Sequence, residues 1–239
     1  MRKNKMMRTA SGLLVATLLT TSVISGTFAK YTTEETGSDS ARVAKFGVEI
    51  TANGTMFANE YNTDDQKVAT TITKSVVKSG ATGDAVVAPG TKGNLANATI
   101  TGKPEVAVRV TYEPKLKLEG WKLSDNSTEY CPIVFTVGAE TYGLTGMKDA
   151  KGTEVKNAST TIAELKTAVE DAIAAYSADY APNTDLSTIG TNGYVHVSWN
   201  WAFENENADE KDTYLGDQAA ANNASTVELS VKTTVTQID

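Results

Sequence analysis

Apolar and polar residues alternate with period two in several short stretches of this chain, the spacing of strands with one buried and one wet face. "EVAVRVTYE" sets Val106, Val108, Val110 and Tyr112 inward against Ala107, Arg109 and Thr111. "VHVSWNWAF" sets Val195, Val197, Trp199, Trp201 and Phe203 against His196, Ser198 and Asn200. "VELSVKTTV" sets Val227, Leu229, Val231 and Val235 against Glu228, Ser230, Lys232 and Thr234. "KFGVEI" places Phe46, Val48 and Ile50 on one face, and "PIVFTV" adds Ile133, Phe135 and Val137. Glycine-rich turns separate these runs: "SGATGD", "APGTKGN", "TGKPE", "GLTGMKDAKG" and "GTNG". Asn53-Gly54 adds a hairpin signal, since both residues tolerate positive φ.

One segment keeps a different period. Ile162, Leu165, Val169, Ala172, Ile173 and Tyr176 recur at helical intervals, and Thr161 with Glu164 makes a capping box. Pro182 closes the segment off. A second short helix is expected over "TYLGDQAAAN", with Asp212 as its cap. The pattern predicts an all-β chain with one inserted helix near 161–177, folded as a jelly-roll-like antiparallel β-sandwich.

The start of the chain reads differently. "MRKNKMMR" is cationic, Gly12 to Ile24 is apolar, and "TFA" ends at Ala29: the three parts of a secretory signal peptide. Cleavage between Ala29 and Lys30 is the reading favoured; a retained membrane anchor is the other, although the apolar run is short of the roughly 20 residues a spanning helix needs. The organisation is then 1–29 signal peptide, 30–45 a flexible N-terminal segment, and 46–239 one sandwich domain.

Charge narrows the partners. The 239 residues carry 22 Lys and Arg against 29 Asp and Glu, a net of −7. The leader holds four of the cations and none of the acids, so the processed chain keeps 18 against 29, a net of −11. Such a surface repels nucleic acid and anionic lipid, leaving the uncleaved leader as the one membrane contact expected.

Candidate chemistry is sparse. Cys131 is the only cysteine and His196 the only histidine, so neither an intramolecular disulfide nor a two-histidine zinc helix can form. His196 falls on the polar face of its strand and Cys131 at the start of one, which favours structural roles. The acid runs Glu204–Asp212 and Asn62–Gln66 lack EF-hand spacing and read as solvated loops. Trp199 and Trp201 share a face with Val195 and Val197 and read as core; Trp121 is the one left open as a sugar-stacking surface. No catalytic residue, cofactor or metal site is expected.

Several stretches together resemble one family. "GTFA" with "SDSARVAKFGVEI", then "VVAPGTKGNLANATITGKPEVAVRVTYEP", "VSWNWAFE", "DTYLGDQAA" and the closing "TTVTQID" resemble the TasA and camelysin group of secreted Gram-positive biofilm-matrix proteins, processed by a SipW-type signal peptidase. The resemblance implies a jelly-roll subunit whose N-terminal segment, freed by cleavage, adds as a strand to the next copy. Its partners would be further copies of itself and an anchor or accessory matrix protein. The donor-strand candidates are Tyr31, Thr32, Thr33, Ala41, Val43, Ala44 and Phe46. Lys30 to Ser40 is acidic and lacks apolar alternation, so the inserting part is either this stretch or "ARVAKFGV". The metallopeptidase label of camelysin-type relatives has no support in the histidine count. A monomeric adhesin or carbohydrate-binding module is the other reading.

Overall fold

The computed structural model describes residues 42–52, 56–62, 75–80, 84–96, 98–124, 128–190, 193, 195–203 and 208–239. The chain divides into two compact units, Met1–Val43 and Ala44–Asp239. Of the first, only Arg42 and Val43 are described, and Val43 is 92% exposed.

The second unit is all-β with two helices. Its largest sheet runs β4 (Lys92–Ala96), β11 (His196–Trp201), β7 (Ile133–Val137), β8 (Glu140–Leu144), β9 (Asn157–Ser159), antiparallel except for the parallel β8–β9 pair. A three-stranded sheet runs β10 (Ala178–Tyr180), β6 (Val108–Glu119), β12 (Thr226–Gln237). Two small ladders pair β1 (Glu49–Ala52) with β5 (Ala98–Thr101) and β2 (Glu60–Asn62) with β3 (Ser75–Lys78). These four sheets bear out the antiparallel all-β expectation; the described ladders do not by themselves trace the eight-strand double wrap of a jelly roll.

The helices are α1 (Ile162–Ala174) and α2 (Asp209–Ala220). In α1 the capping box forms: Glu164 N donates to Thr161 Oγ1 at 3.2 Å, and Thr161 N to Glu164 Oε2 at 3.3 Å. Its buried face is Ile162, Leu165, Val169 and Ile173, set against β6 and the β7–β9 side of the larger sheet. The β7–β8 turn spans two residues and needs Gly138 at φ +61°; a Cβ there would collide with Tyr176 from the end of α1.

One core joins both sheets and both helices. Trp121 and Trp201 meet edge-to-face at 5.8 Å, and all three tryptophans are buried with their indole N–H groups satisfied. Burying each such ring contributes roughly 1.5–3 kcal/mol or more.

Five expectations need correction. Phe46 and Val48 precede the first strand, because Gly47 takes φ +44° and β1 begins at Glu49; Ile50 stays 40% exposed. β1 pairs with β5, not with the next strand; Asn53 and Gly54 lie outside the described residues. Phe203 is 61% exposed because β11 ends at Trp201, after which strand parity no longer applies. β6 does not stop at Glu113 but continues through Pro114 to Glu119. Helix α2 starts at Asp209 behind Ala208, which makes no side-chain cap, and Asp212 sits in its first turn.

Candidate functional site

The ladder between β6 and β12 is the longest in the described structure: twelve residue pairs, from Thr226 opposite Glu119 to Gln237 opposite Val108, with no register shift. In an antiparallel ladder, alternate residues turn both their N–H and C=O toward the partner strand, and the residues between turn them away. Ile238 N donates to Ala107 O just past the ladder's end, which sets the parity. Even-numbered residues of β12 and odd-numbered residues of β6 bond each other. Even-numbered residues of β6 and odd-numbered residues of β12 face outward.

The two outward edges are finished differently. On β6, β10 pairs with Val108 and Val110. Beyond it, Tyr112 N donates to Ser177 Oγ at 3.0 Å, Pro114 has no N–H, and Leu116 N donates to Glu170 Oε1 at 2.7 Å. Helix α1 and the turn after it thus close this edge, and that explains how a proline fits inside a twelve-residue strand.

On β12, Val227, Leu229, Val231, Thr233, Val235 and Gln237 turn their N–H and C=O groups to an edge where no described residue bonds them. The strand is about 40 Å long at roughly 3.3 Å per residue. It holds no proline and no bulge, the usual devices that blunt an edge. The side chains of the same residues form the inner row, and Val227, Leu229 and Val231 among them are only half-buried: apolar surface that one further strand would cover. The outer face carries exposed ion pairs, Lys117–Glu228 at 2.7 Å and Lys232–Glu113 at 3.0 Å, which match four of its charges across the ladder. Arg109 and Asp179 form a two-pronged pair at 2.6 and 2.8 Å between β6 and β10; the guanidinium holds the Asp179 carboxyl below its ordinary range.

The remaining edges offer less. β9 and β10 are three residues each. At β4, five residues long, Met56 O lies over the face at Gly93 and accepts from Trp199 Nε1 at 2.8 Å, so the segment before β2 packs on that strand's inner face.

Ala29, Lys30, Tyr31, Thr32, Thr33 and Ala41 lie outside the described residues, as do 63–66 and 204–207 of the acid runs. Ala44 and Phe46 belong to the second unit: Lys45 N donates to Glu105 Oε2 at 2.9 Å, and Phe46 packs on the core. Cys131 is fully buried, and burial pushes its thiol up to about 12, which leaves no thiolate for nucleophilic attack. Trp121, left open as a sugar platform, is 1% exposed and cannot stack on a ligand. His196 is half-buried on β11 and its carbonyl accepts from Gly138 N at 3.1 Å. Among the described residues, no three acidic, histidine or cysteine side chains are grouped to hold a metal, and no helix is long and apolar enough to cross a membrane.

Two features escaped the sequence reading. Asp212 accepts from Tyr130 Oη at 2.5 Å and Trp201 Nε1 at 3.2 Å, with Lys211 over the Tyr130 ring at 5.3 Å, pinning α2 to the core. Desolvation raises the Asp212 carboxyl above its ordinary pKa despite these two donors. A cleft of about 510 Å³ lies beside β4, lined by Phe57, Glu60, Lys92, Asn94, Thr136 and Ser198 among others. Both are long-range, joining residues far apart in the chain.

Compared with protein-family models, curated proteins and solved structures, the chain has no match in any of the three.

Proposed function

We propose that this chain is a secreted structural subunit, not an enzyme, that builds an extracellular fibre or biofilm matrix by strand addition. Signal-peptide cleavage frees the segment from Lys30, and this segment adds to the β12 edge of the next copy. The observation that carries the reading is that edge: twelve residues without bulge or proline, six outward N–H groups, and a half-covered apolar row beneath. Such addition is head-to-tail, so it propagates instead of closing. The likeness to TasA and camelysin proteins, with their jelly-roll subunits, their processing by a SipW-type peptidase and their matrix location, supports the same reading. Under it, the partners are other copies of this chain and an anchor or accessory protein.

The test is negative-stain electron microscopy of a chain starting at Lys30 beside one starting at Ala44. Filaments from the first alone are expected. Monomers from both, at high concentration over days, would remove the assembly reading.

The second reading, a monomeric carbohydrate-binding module, draws on the cleft beside β4. Asn94, Ser198 and Thr136 lie side by side across three strands there, a row of amide and hydroxyl groups next to the half-buried Phe57. Saturable glycan binding that Ser198→Ala and Asn94→Ala abolish, in a chain that never polymerises, would favour it.

A further inference from the structure

Among the described residues, two buried side-chain polar atoms make no hydrogen bond: Tyr112 Oη and Thr233 Oγ1. The two residues are directly opposite each other in the β6–β12 ladder. The parity above places both side chains on the inner face, and Thr233 is one of the residues whose backbone faces the open edge. Buried hydroxyls without partners are rare in folded proteins and cost stability, so two of them on facing residues call for a physical cause. Tyr112 is 2% exposed; burial first, and then Tyr180 nearby, pushes its phenol up to about 12. It therefore keeps its proton at neutral pH and offers a donor in need of an acceptor.

A strand added to β12 brings one inner-face side chain to about 4.8 Å from Thr233. Were that side chain apolar, both hydroxyls would be sealed without a partner. The N-terminal segment is not apolar. Thr32 to Thr36 are five consecutive residues with side-chain oxygens, and Ser38 to Ser40 are three more. Either parity of such a strand presents an acceptor, through Thr33 and Glu35 or through Thr32, Glu34 and Thr36. Its length also fits. Lys30 to Ala41 is twelve residues, matching the twelve of β12, and ends two residues before the compact unit opens at Ala44.

We infer that the strand taken up by β12 is a polar one, and that a side-chain oxygen from Thr32–Thr36 of a second copy accepts the hydrogen bonds that Thr233 and Tyr112 lack within one subunit. This rests on the assembly reading above and adds its selectivity. The acidic, threonine-rich composition that makes the segment a poor strand on hydrophobic grounds becomes the feature the edge recognises. The two orphaned hydroxyls disfavour an apolar segment of any other protein in that place.

The experiment compares the chain from Lys30 to Asp239 with its Tyr112→Phe/Thr233→Val variant, which removes both hydroxyls and nearly keeps shape. The variant's dilute monomer is expected to melt at the same temperature or higher, because it has lost two unsatisfied groups. Its critical concentration for filaments is expected to rise about tenfold, the worth of roughly one net hydrogen bond. An unchanged or lower critical concentration would overturn the inference and leave assembly itself intact. If the unsubstituted chain forms no filaments, the assembly reading fails, and fluorescence anisotropy with a synthetic peptide of residues 30–41 decides this one. Tighter binding to the unsubstituted chain than to the variant would support it, and equal or absent binding would overturn it.

Discussion

The two outward edges of the β6–β12 sheet have the same backbone and opposite treatment. Along β6, β10, Ser177, Pro114 and Glu170 account in turn for the outward positions from Val108 to Leu116. Along β12, no described residue bonds any of the six outward positions. Folding leaves edge donors to water at little cost, so a bare edge is no defect in a monomer. It is a hazard for association unless association is what it serves. The difference between the edges is helix α1, which spends part of one face as a cover. A protein that guards one edge with a helix, a proline and a carboxylate, and sets no described residue against the equally long edge beside it, treats the two differently by construction.

Removing the guard's anchorage should have the largest effect. Leu165 is fully buried on α1, and Leu165→Ala should cost about 2–5 kcal/mol in chemical denaturation. Next is the guard's own hydrogen bond. Glu170→Ala strips the carboxylate from Leu116 N, and should cost about 1.5–3 kcal/mol while turning β6 into a second sticky edge, read as faster, branched aggregation by light scattering.

A pair of proline substitutions tests the parity directly. Lys232→Pro removes a donor bonded toward β6 and leaves the facing Glu113 carbonyl short, costing about 1–3 kcal/mol in the melting of the monomer. Val231→Pro, one residue away, removes an outward N–H and trims a half-buried side chain; it should cost the monomer less than Lys232→Pro does yet stop filament growth. Equal effects from both would show that the edge assignment is wrong.

The smallest effect is in pH. The Asp212 carboxyl has a raised folded pKa, so the folded state takes up a proton before the unfolded one does. Stability contributed this way grows as pH falls from neutral through that raised value and is complete below the ordinary carboxylate range. Glu164 and Asp179 are depressed, by hydrogen bonds from Thr160 and Arg109 respectively; their contributions are present above the ordinary range and disappear as pH falls through their lower folded values. The melting temperature should therefore rise slightly on mild acidification and then drop. In Asp212→Asn the rise should vanish and the drop remain.

Much of this was legible in the chain itself. Side-chain alternation follows from a backbone that turns successive residues to opposite faces, so the inward sets Val108, Val110, Tyr112 and Val195, Val197, Trp199 could be named without knowing any partner strand. The cap and buried face of α1 are equally local, four residues reaching one another along one helix. Phe203 was misplaced because alternation continues on paper where the ladder has already ended in space; Phe46 packs on the core as expected, but from ahead of the strand, since Gly47 turns the chain before β1 begins.

Which edge stays open was beyond that reach. The pattern "VELSVKTTV" reads identically whether its strand lies inside a sheet or at its rim, because one wet face and one dry face say nothing of left and right. The matching of Tyr112 to Thr233, and of Leu116 to Glu170, joins residues 121 and 54 positions apart. Local periodicity sets faces; closure of long loops onto one another sets neighbours. The sequence by itself determined the strands, the helix and the polar character of the N-terminal segment. Only the tertiary structure decided that β6 is covered from Val108 to Leu116, that no described residue bonds the outward edge of β12, and that two hydroxyls of this ladder lack partners among the described residues.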